Sequence, residues 1–385
     1  MTILLVLSVA GVAVSLGYYT AATVAAIRFT QRGCSTAAPL PKIPPRVALL
    51  KPLHGAGSAL AANLISFLEV SYPRLDYYFA VANYEDPAAE IPVALRQRYQ
   101  FANITLVVGE EPDCANRKVA KLIRMAERAE KADIFVLSDA DVSVDRDYLR
   151  QVVGELLADE KVGIVTCAYR ARPTGTLASR FEALYINTDF LPQLLLAESI
   201  EPMHYALGAT IAIKRAALEA AGGFASVRDM LADDFYLGKF ANEKGFEIKL
   251  SGQMVTLTCE EKRMSDFWHH QLRWARTYRT VRPISIATIA MHGPFWALML
   301  LIATRGSVAA VAALMLVVAS RLAMSAAIIQ RVVKLPQALS DLWIVPIKDL
   351  VMTGVWFASL LSNKVTWAGR QFHVQSGGAM REIKG

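Results

Sequence analysis

The chain has only four cysteines. Cys34, Cys114, Cys167 and Cys259 lie far apart and form no C-x-x-C. That leaves zinc and dithiol redox motifs unsupported, and on a cytoplasmic domain such scattered cysteines read as reduced and structural. Internal repeats and low-complexity segments are also missing, so no repeat array is indicated. Basic and aromatic residues are not interleaved as in nucleic-acid modules, which argues against a nucleic-acid partner. From Met1 to Ile27 no side chain is charged. A cleaved signal peptide places positive charge before its apolar core; here Arg28 and Arg32 follow it.

What is present is apolar. Of 385 residues, 54% are hydrophobic, and the mean hydropathy is +0.32. Such a chain is expected to carry membrane spans, with room for one catalytic domain of ordinary size. Residues 1–28 read as an uncleaved anchor, its N-terminus outside and the following domain cytoplasmic. The net charge of +7 fits basic residues retained on the cytoplasmic side. Residues 29–46 form a linker containing Pro39, Pro41, Pro44 and Pro45. Near the other end, Ile284–Thr304 and Gly306–Ser320 are uncharged runs with Arg305 between them, which predicts a tight turn. Leu342–Leu361 is apolar but holds Lys348 and Asp349. A charged pair inside a span is costly and often functional; the alternative is an interfacial or re-entrant helix. Three crossings after residue 280 would put the tail outside, whereas two crossings plus a re-entrant helix would keep Trp367 and Arg370 near the catalytic domain.

Between these regions, residues 47–264 have a different texture. Strands are predicted at Val47–Leu50, Tyr77–Ala82, Ile104–Val108 and Ile134–Leu137. Helices are predicted at Ser58–Val70, Ala88–Tyr99 and Ala115–Ala129. This alternation implies βαβ units and an α/β fold with a mostly parallel sheet, whose ligands bind at the carboxyl ends of the strands.

Acidic residues fall at such ends. Asp139 and Asp141, in Ser138-Asp139-Ala140-Asp141, directly follow the strand Ile134–Leu137. Residues two apart in extended chain point the same way, so both carboxylates can face one ligand. Two carboxylates suit Mg²⁺ or Mn²⁺, which also takes phosphate oxygens. An EF-hand loop is excluded, because Val144 and Arg150 stand where it needs Gly and Glu. Asp86, in a Glu-Asp-Pro turn, could accept hydrogen bonds from a nucleoside or serve the turn alone. Asp233-Asp234 opens a predicted helix, one capping it and the other facing a cleft as a general base. In Phe267–Thr280, His270, Arg273, Trp274 and Thr277 share a helical face. There Arg273 can clamp phosphate oxygens and Trp274 suits an interface or an apolar acceptor.

This ordered set resembles the inverting glycosyltransferases of the family-2 type, with their D, DxD, D and QxxRW elements. It is closer still to ceramide glucosyltransferases (family 21). That closer likeness rests on Lys51-Pro52-Leu53-His54-Gly55, Tyr84-Glu85-Asp86-Pro87-Ala88, Ala221-Gly222-Gly223-Phe224, Trp367-Ala368-Gly369-Arg370 and Gly377-Gly378. The resemblance implies a GT-A-type nucleotide-sugar-binding domain over 47–264. It also implies an interfacial helix over 265–282, transmembrane or re-entrant helices over 283–366 and a tail over 367–385. It gives Asp86 to the nucleotide, Asp139 and Asp141 to a metal-bound diphosphate, and the role of base to Asp234. Arg273 and Trp274 would close over diphosphate and acceptor. The implied partners are a UDP-sugar donor, a membrane lipid acceptor and the bilayer.

Two departures stand out. His270 occupies the place of Gln or Arg, giving HxxRW; a histidine there could still donate to a phosphate of the nucleotide-sugar, with pH dependence. Asp189-Phe190-Leu191-Pro192 replaces the His-Pro segment of animal ceramide enzymes. Bacterial hopanoid-associated glycosyltransferases of similar size, which would place N-acetylglucosamine on bacteriohopanetetrol, fit the pattern equally; they would set the chain in a bacterial inner membrane. A polysaccharide synthase or an inactive membrane scaffold are the remaining alternatives.

Overall fold

A computed structural model describes residues 2–31, 40–109, 112–367, 369–375 and 377–383. Cys34, Pro39 and Ala368 lie outside the described residues, as does the rest of linker segment 32–39.

The catalytic sheet is built from β1 (Val47–Pro52), β2 (Leu75–Ala80), β3 (Asn103–Val107), β4 (Ile134–Ser138), β5 (Val142–Ser143), β6 (Val162–Pro173), β7 (Thr210–Lys214) and β8 (Glu247–Cys259). Their order is β3-β2-β1-β4-β7-β6-β8-β5. Strands β3, β2, β1 and β4 pair in parallel, as do β6 and β8. Strand β7 runs antiparallel to both β4 and β6, and β5 antiparallel to β8. The central strands are apolar throughout because both faces are covered: Val47 to Leu50 and Ile134 to Leu137 are all buried. Helices Leu60–Leu68, Glu90–Arg98 and Arg117–Arg128 fall where the periodicity predicts them.

The chain winds outward from β1 to β3 and then returns to place β4 on the other side of β1. That reversal is a topological switch point, where the loops after neighbouring strands diverge and leave a crevice. The loop after β1 begins at Leu53 and the one after β4 at Asp139.

Three helices are long and apolar enough to cross a membrane: Thr2–Gln31, Val308–Val333 and Pro336–Leu360. A bent pair, Pro283–Met291 and Gly293–Ala303, meets at 61°. The predicted turn is present, with Arg305 and Gly306 both at positive φ.

The last apolar helix does not carry the tail away. At one end Ile344 and Val345 share a buried cluster with Phe267 of the amphipathic helix Met264–Val281. Beyond the other end, Ser362 O accepts a hydrogen bond from Arg279 of that same helix at 3.1 Å. The tail then folds into β9 (Lys364–Trp367), β10 (Arg370–Val374) and β11 (Met380–Glu382). It docks on the catalytic domain through Leu231 N to Gly378 O at 3.0 Å and Met380 N to Asp229 O at 2.7 Å. The tail therefore lies beside the catalytic domain.

Candidate active site

A cavity of ≈ 1370 Å³ opens at the switch point. Asp86, Asp139, Asp141, Asp234, His270, Arg273 and Trp274 all line it, so the fold gathers every candidate residue from four separate stretches of chain. That volume exceeds the 300–1,000 Å³ common for a single small ligand.

Asp86 is held more tightly than a turn residue needs to be. Its Oδ1 accepts from Gly55 N and Ala88 N, both at 2.9 Å, and its Oδ2 lies 3.1 Å from His54 Nδ1. It therefore caps the short helix Pro87–Ala89 and ties the loop after β1 to the loop after β2. Burial opposes ionisation, but these donors win and hold the carboxyl below the ordinary range.

The loop after β4 rests on Lys51, a lysine that ends an apolar strand and is fully buried. Its Nζ donates to Asp139 O at 2.6 Å, Ser138 Oγ at 3.3 Å and Val142 O at 3.4 Å. Burial lowers its pKa to about 7, against the pull of Asp141 and Asp139. Asp139 Oδ1 pairs with Lys118 Nζ at 2.8 Å, and the same ammonium reaches Asp233 Oδ2 at 3.3 Å. Asp141 Oδ1 is buried with no hydrogen-bond partner among the described residues. Burial and the neighbouring Asp139 push the Asp141 carboxyl up to about 7. A buried, unpartnered carboxylate oxygen beside a second carboxylate is an all-oxygen donor set suited to a hard divalent cation. The residues therefore fit Mg²⁺ or Mn²⁺.

The helix Asp233–Glu243 begins with the acidic pair, yet neither aspartate is its N-cap. That position is Ala232, whose side chain cannot accept a hydrogen bond, so the expectation of an aspartate cap is corrected. Asp234 Oδ1 instead accepts from Phe235 N at 2.7 Å, and Asp233 is committed to Lys118. Burial and repulsion from Asp233 raise the Asp234 carboxyl to about 6, with Lys118 opposing.

On the helix Met264–Val281, Arg273 lines the cavity while its guanidinium makes no hydrogen bond to any described residue. Trp274 packs edge-on against Phe190, Tyr185, His270 and Tyr278. His270 Nδ1 lies 3.2 Å from Glu182 Oε1 and 3.5 Å from Glu261 Oε1. Burial alone would lower its pKa, but the two carboxylates prevail and raise it to about 9.

Away from the carboxylates the cavity wall turns aliphatic, with Leu194, Ile200, Ile284, Ile286, Met352 and Leu360. Lys348 and Asp349 are both buried here and sit in a four-charge cluster. Arg321 Nε meets Asp349 Oδ2 at 2.8 Å and Arg321 Nη2 meets Asp189 Oδ1 at 2.8 Å. Lys348 Nζ bridges Asp349 Oδ1 at 2.7 Å and Asp189 Oδ2 at 2.5 Å.

Sequence reasoning misses Lys118, Glu182, Gly208 and Arg321. Lys118 and Glu182 sit in ordinary mixed-charge helical stretches, and Arg321 follows an apolar run like a membrane flank. Lys51 carried a signal in hindsight, as a lone lysine closing an otherwise apolar strand.

A doubly wound sheet with paired carboxylates at its switch point defines the GT-A class of α/β fold. Residues 7–380 match the family model "Glycosyl transferase family 21", and the chain belongs to that family. Ceramide glucosyltransferase 3 of Caenorhabditis elegans is 22% identical over 232 residues, 60% of this chain and 50% of that protein. Ceramide glucosyltransferase 1 of the same organism is 22% identical over 239 residues, 62% and 51% of the two chains. The chain thus spans about half the length of the curated relatives it matches. Among solved structures, the mannosyltransferase PcManGT from Pyrobaculum calidifontis, in complex with GDP-Man and Mn²⁺, superposes with a TM-score of 0.54 at 19% identity. That match covers 92% of this chain and 99% of the other, and it supports the fold.

Proposed function

We propose that this chain is a membrane-bound inverting glycosyltransferase that moves a hexose from a UDP-sugar to a hydroxyl of a membrane lipid. One observation carries the reading. A single cavity joins the carboxylates Asp139, Asp141 and Asp234 to an aliphatic wall contributed by the apolar helices. A soluble acceptor would not call for that wall.

In this reading the nucleoside lies by Asp86, and Asp139 and Asp141 hold a Mg²⁺ or Mn²⁺ ion. When bound, that ion neutralises charge on the departing diphosphate. The guanidinium of Arg273 is free to take phosphate oxygens in a bidentate grip, and His270 stands one turn away. Asp234 takes the proton from the acceptor hydroxyl as that oxygen attacks the sugar carbon. A carboxyl raised to about 6 is ionised at neutral pH yet more basic than an ordinary aspartate. Inversion needs one base and no covalent sugar intermediate, which matches this inventory. Trp274, with its aromatic neighbours, packs where sugar and acceptor meet. The domain reading follows: an anchor, a catalytic domain facing the cytoplasm, an interfacial helix, a membrane-embedded section and a tail, in a bacterial inner membrane.

Family membership favours ceramide as acceptor. A second lipid, a hopanoid polyol taking N-acetylglucosamine, is favoured by the Asp189–Pro192 segment. There Asp189 is committed to Arg321 and Lys348, and Phe190 stacks on Tyr169 at 4.7 Å, so this part of the wall is built differently from the His-Pro pattern. Purified protein is incubated with UDP-glucose or UDP-N-acetylglucosamine and either ceramide or bacteriohopanetetrol. Mass spectrometry of the lipid fraction then names the product. No glycolipid from any pairing would reject the reading.

A further inference from the structure

We propose that Glu182 and Glu261 are positioning residues that keep His270 an imidazolium cation. The HxxRW helix then presents two permanent positive charges, His270 and Arg273, to the diphosphate of the donor. The inference rests on the reading of this cavity as a nucleotide-sugar site.

The geometry is that of a shared ion pair. Two carboxylates from different elements converge on one ring nitrogen. Glu182 comes from the helix Leu177–Tyr185 and Glu261 from the chain just past β8. Nδ1 lies 3.2 Å from the first and 3.5 Å from the second. Glu182 is fully buried, and a buried carboxylate is tolerated when a cation and hydrogen bonds compensate it. Gln271 Nε2 supplies a hydrogen bond to Glu182 Oε1 at 2.8 Å, but it supplies no charge. The charged groups facing this corner are Glu182, Glu261, Arg273 on the same helix and Asp141 from the loop after β4. Three of the four are acidic, so the local field favours the protonated ring.

With Nδ1 turned to the glutamates, Nε2 is the second donor of the cation, and it hydrogen-bonds no described residue. His270 lines the cavity with its ring edge-on to Trp274, centroids 5.1 Å apart. Histidine here thus behaves as a short arginine. It offers a donor and a full charge, but only while its two carboxylates hold the proton on it.

The same three side chains lie close enough to ligate a divalent ion. Glu182 Oε2 and Glu261 Oε2 are buried with no hydrogen-bond partner among the described residues, so a metal is the competing reading, while Nδ1 within 3.5 Å of both carboxylates is the geometry of an ion pair. The two readings separate experimentally.

Full-length protein in lipid nanodiscs with Mg²⁺ is titrated with UDP, and with uridine as a control, by calorimetry between about pH 7.5 and 8.5. This window lies above the second ionisation of a terminal phosphate, about 6, and above an unperturbed imidazole at about 6.5, so only a histidine held by its carboxylates is still a cation in it. Glu182→Gln combined with Glu261→Gln leaves a neutral ring and should weaken UDP roughly tenfold relative to wild type throughout the window, the cost of one charge-assisted contact. His270→Arg in that background should restore wild-type affinity. His270→Gln alone should weaken UDP roughly tenfold and leave uridine unchanged. If the glutamine variants do not fold, the His270→Arg and His270→Gln pair decides alone. Wild-type UDP affinity in the double variant or in His270→Gln, or no rescue by His270→Arg, overturns the proposal. So does one equivalent of metal that survives a chelator wash in wild type and is lost in His270→Gln. If wild type binds no UDP, the donor reading fails and the inference with it; if wild type binds and the double variant binds equally well, only the inference fails.

Discussion

Gly208 and Asp234 compete for the same space: a Cβ built on Gly208 would lie 2.8 Å from Asp234 Oδ2. Gly208 has an ordinary φ, so alanine is sterically possible for the backbone there. What must move is the carboxylate proposed as the base. Gly208→Ala should keep the fold and its melting temperature. It should lower kcat roughly 10- to 100-fold with little change in KM, because sub-ångström misplacement of a reacting group costs rate more than binding. Steady-state kinetics beside a thermal melt tests this; an unchanged kcat would remove Asp234 from the reaction.

Asp234→Asn should abolish transfer while leaving UDP binding intact. In wild type the base must be ionised, so turnover should fall as pH drops through about 6, the raised value for this carboxyl. Lys118 opposes that rise, so removing its charge with Lys118→Met should move the acid limb of the pH–rate profile upward. A limb that stays put, or moves down, contradicts the assignment.

Chelation should stop turnover, and added Mg²⁺ or Mn²⁺ should restore it. Asp141 is raised to about 7, and a metal binds its ionised form. The divalent ion should therefore bind more weakly below pH 7 and release protons on binding. Asp141→Asn should remove most of that pH dependence and raise the metal requirement. Isothermal titration in two buffers of different ionisation enthalpy measures the protons directly.

The tail should be a separable part of the site. Gly378 has φ of +82°, and a Cβ there would fall 2.4 Å from the Tyr236 ring. Gly378→Val adds both a left-handed penalty and a clash. It should release the tail from Asp229–Leu231, expose it to limited proteolysis and reduce activity, with the sheet intact by circular dichroism. A protease pattern identical to wild type would show that the tail tolerates the change.

The buried four-charge cluster should be costly to unbalance. Asp349→Asn leaves Arg321 and Lys348 facing Asp189 alone, and losing one partner of a buried pair typically costs about 3–5 kcal/mol. The variant should melt earlier in detergent than wild type. A conserved melting temperature would mean that water or lipid already screens these charges.

The sequence by itself determined the elements and the class of fold. Apolar strands between amphipathic helices set a mostly parallel α/β sheet, since a strand covered on both faces must be apolar along its whole length. The carboxylates just past Leu137 were readable because a strand end fixes where the next residues point. Uncharged runs marked the membrane helices, since hydrocarbon excludes charge. What the tertiary structure alone decided is partnership between residues far apart in the chain. Asp139 faces Lys118, His270 faces Glu182 and Glu261, Asp349 faces Arg321, and the tail strand at Met380 reaches Asp229. No local period carries such pairings; they arise when separate elements close on one another and a buried charge must find its opposite. The same closure brought the tail beside the catalytic domain, and it made Lys348 and Asp349, which look from sequence like an interruption of a span, half of a neutral cluster in the wall of the cavity.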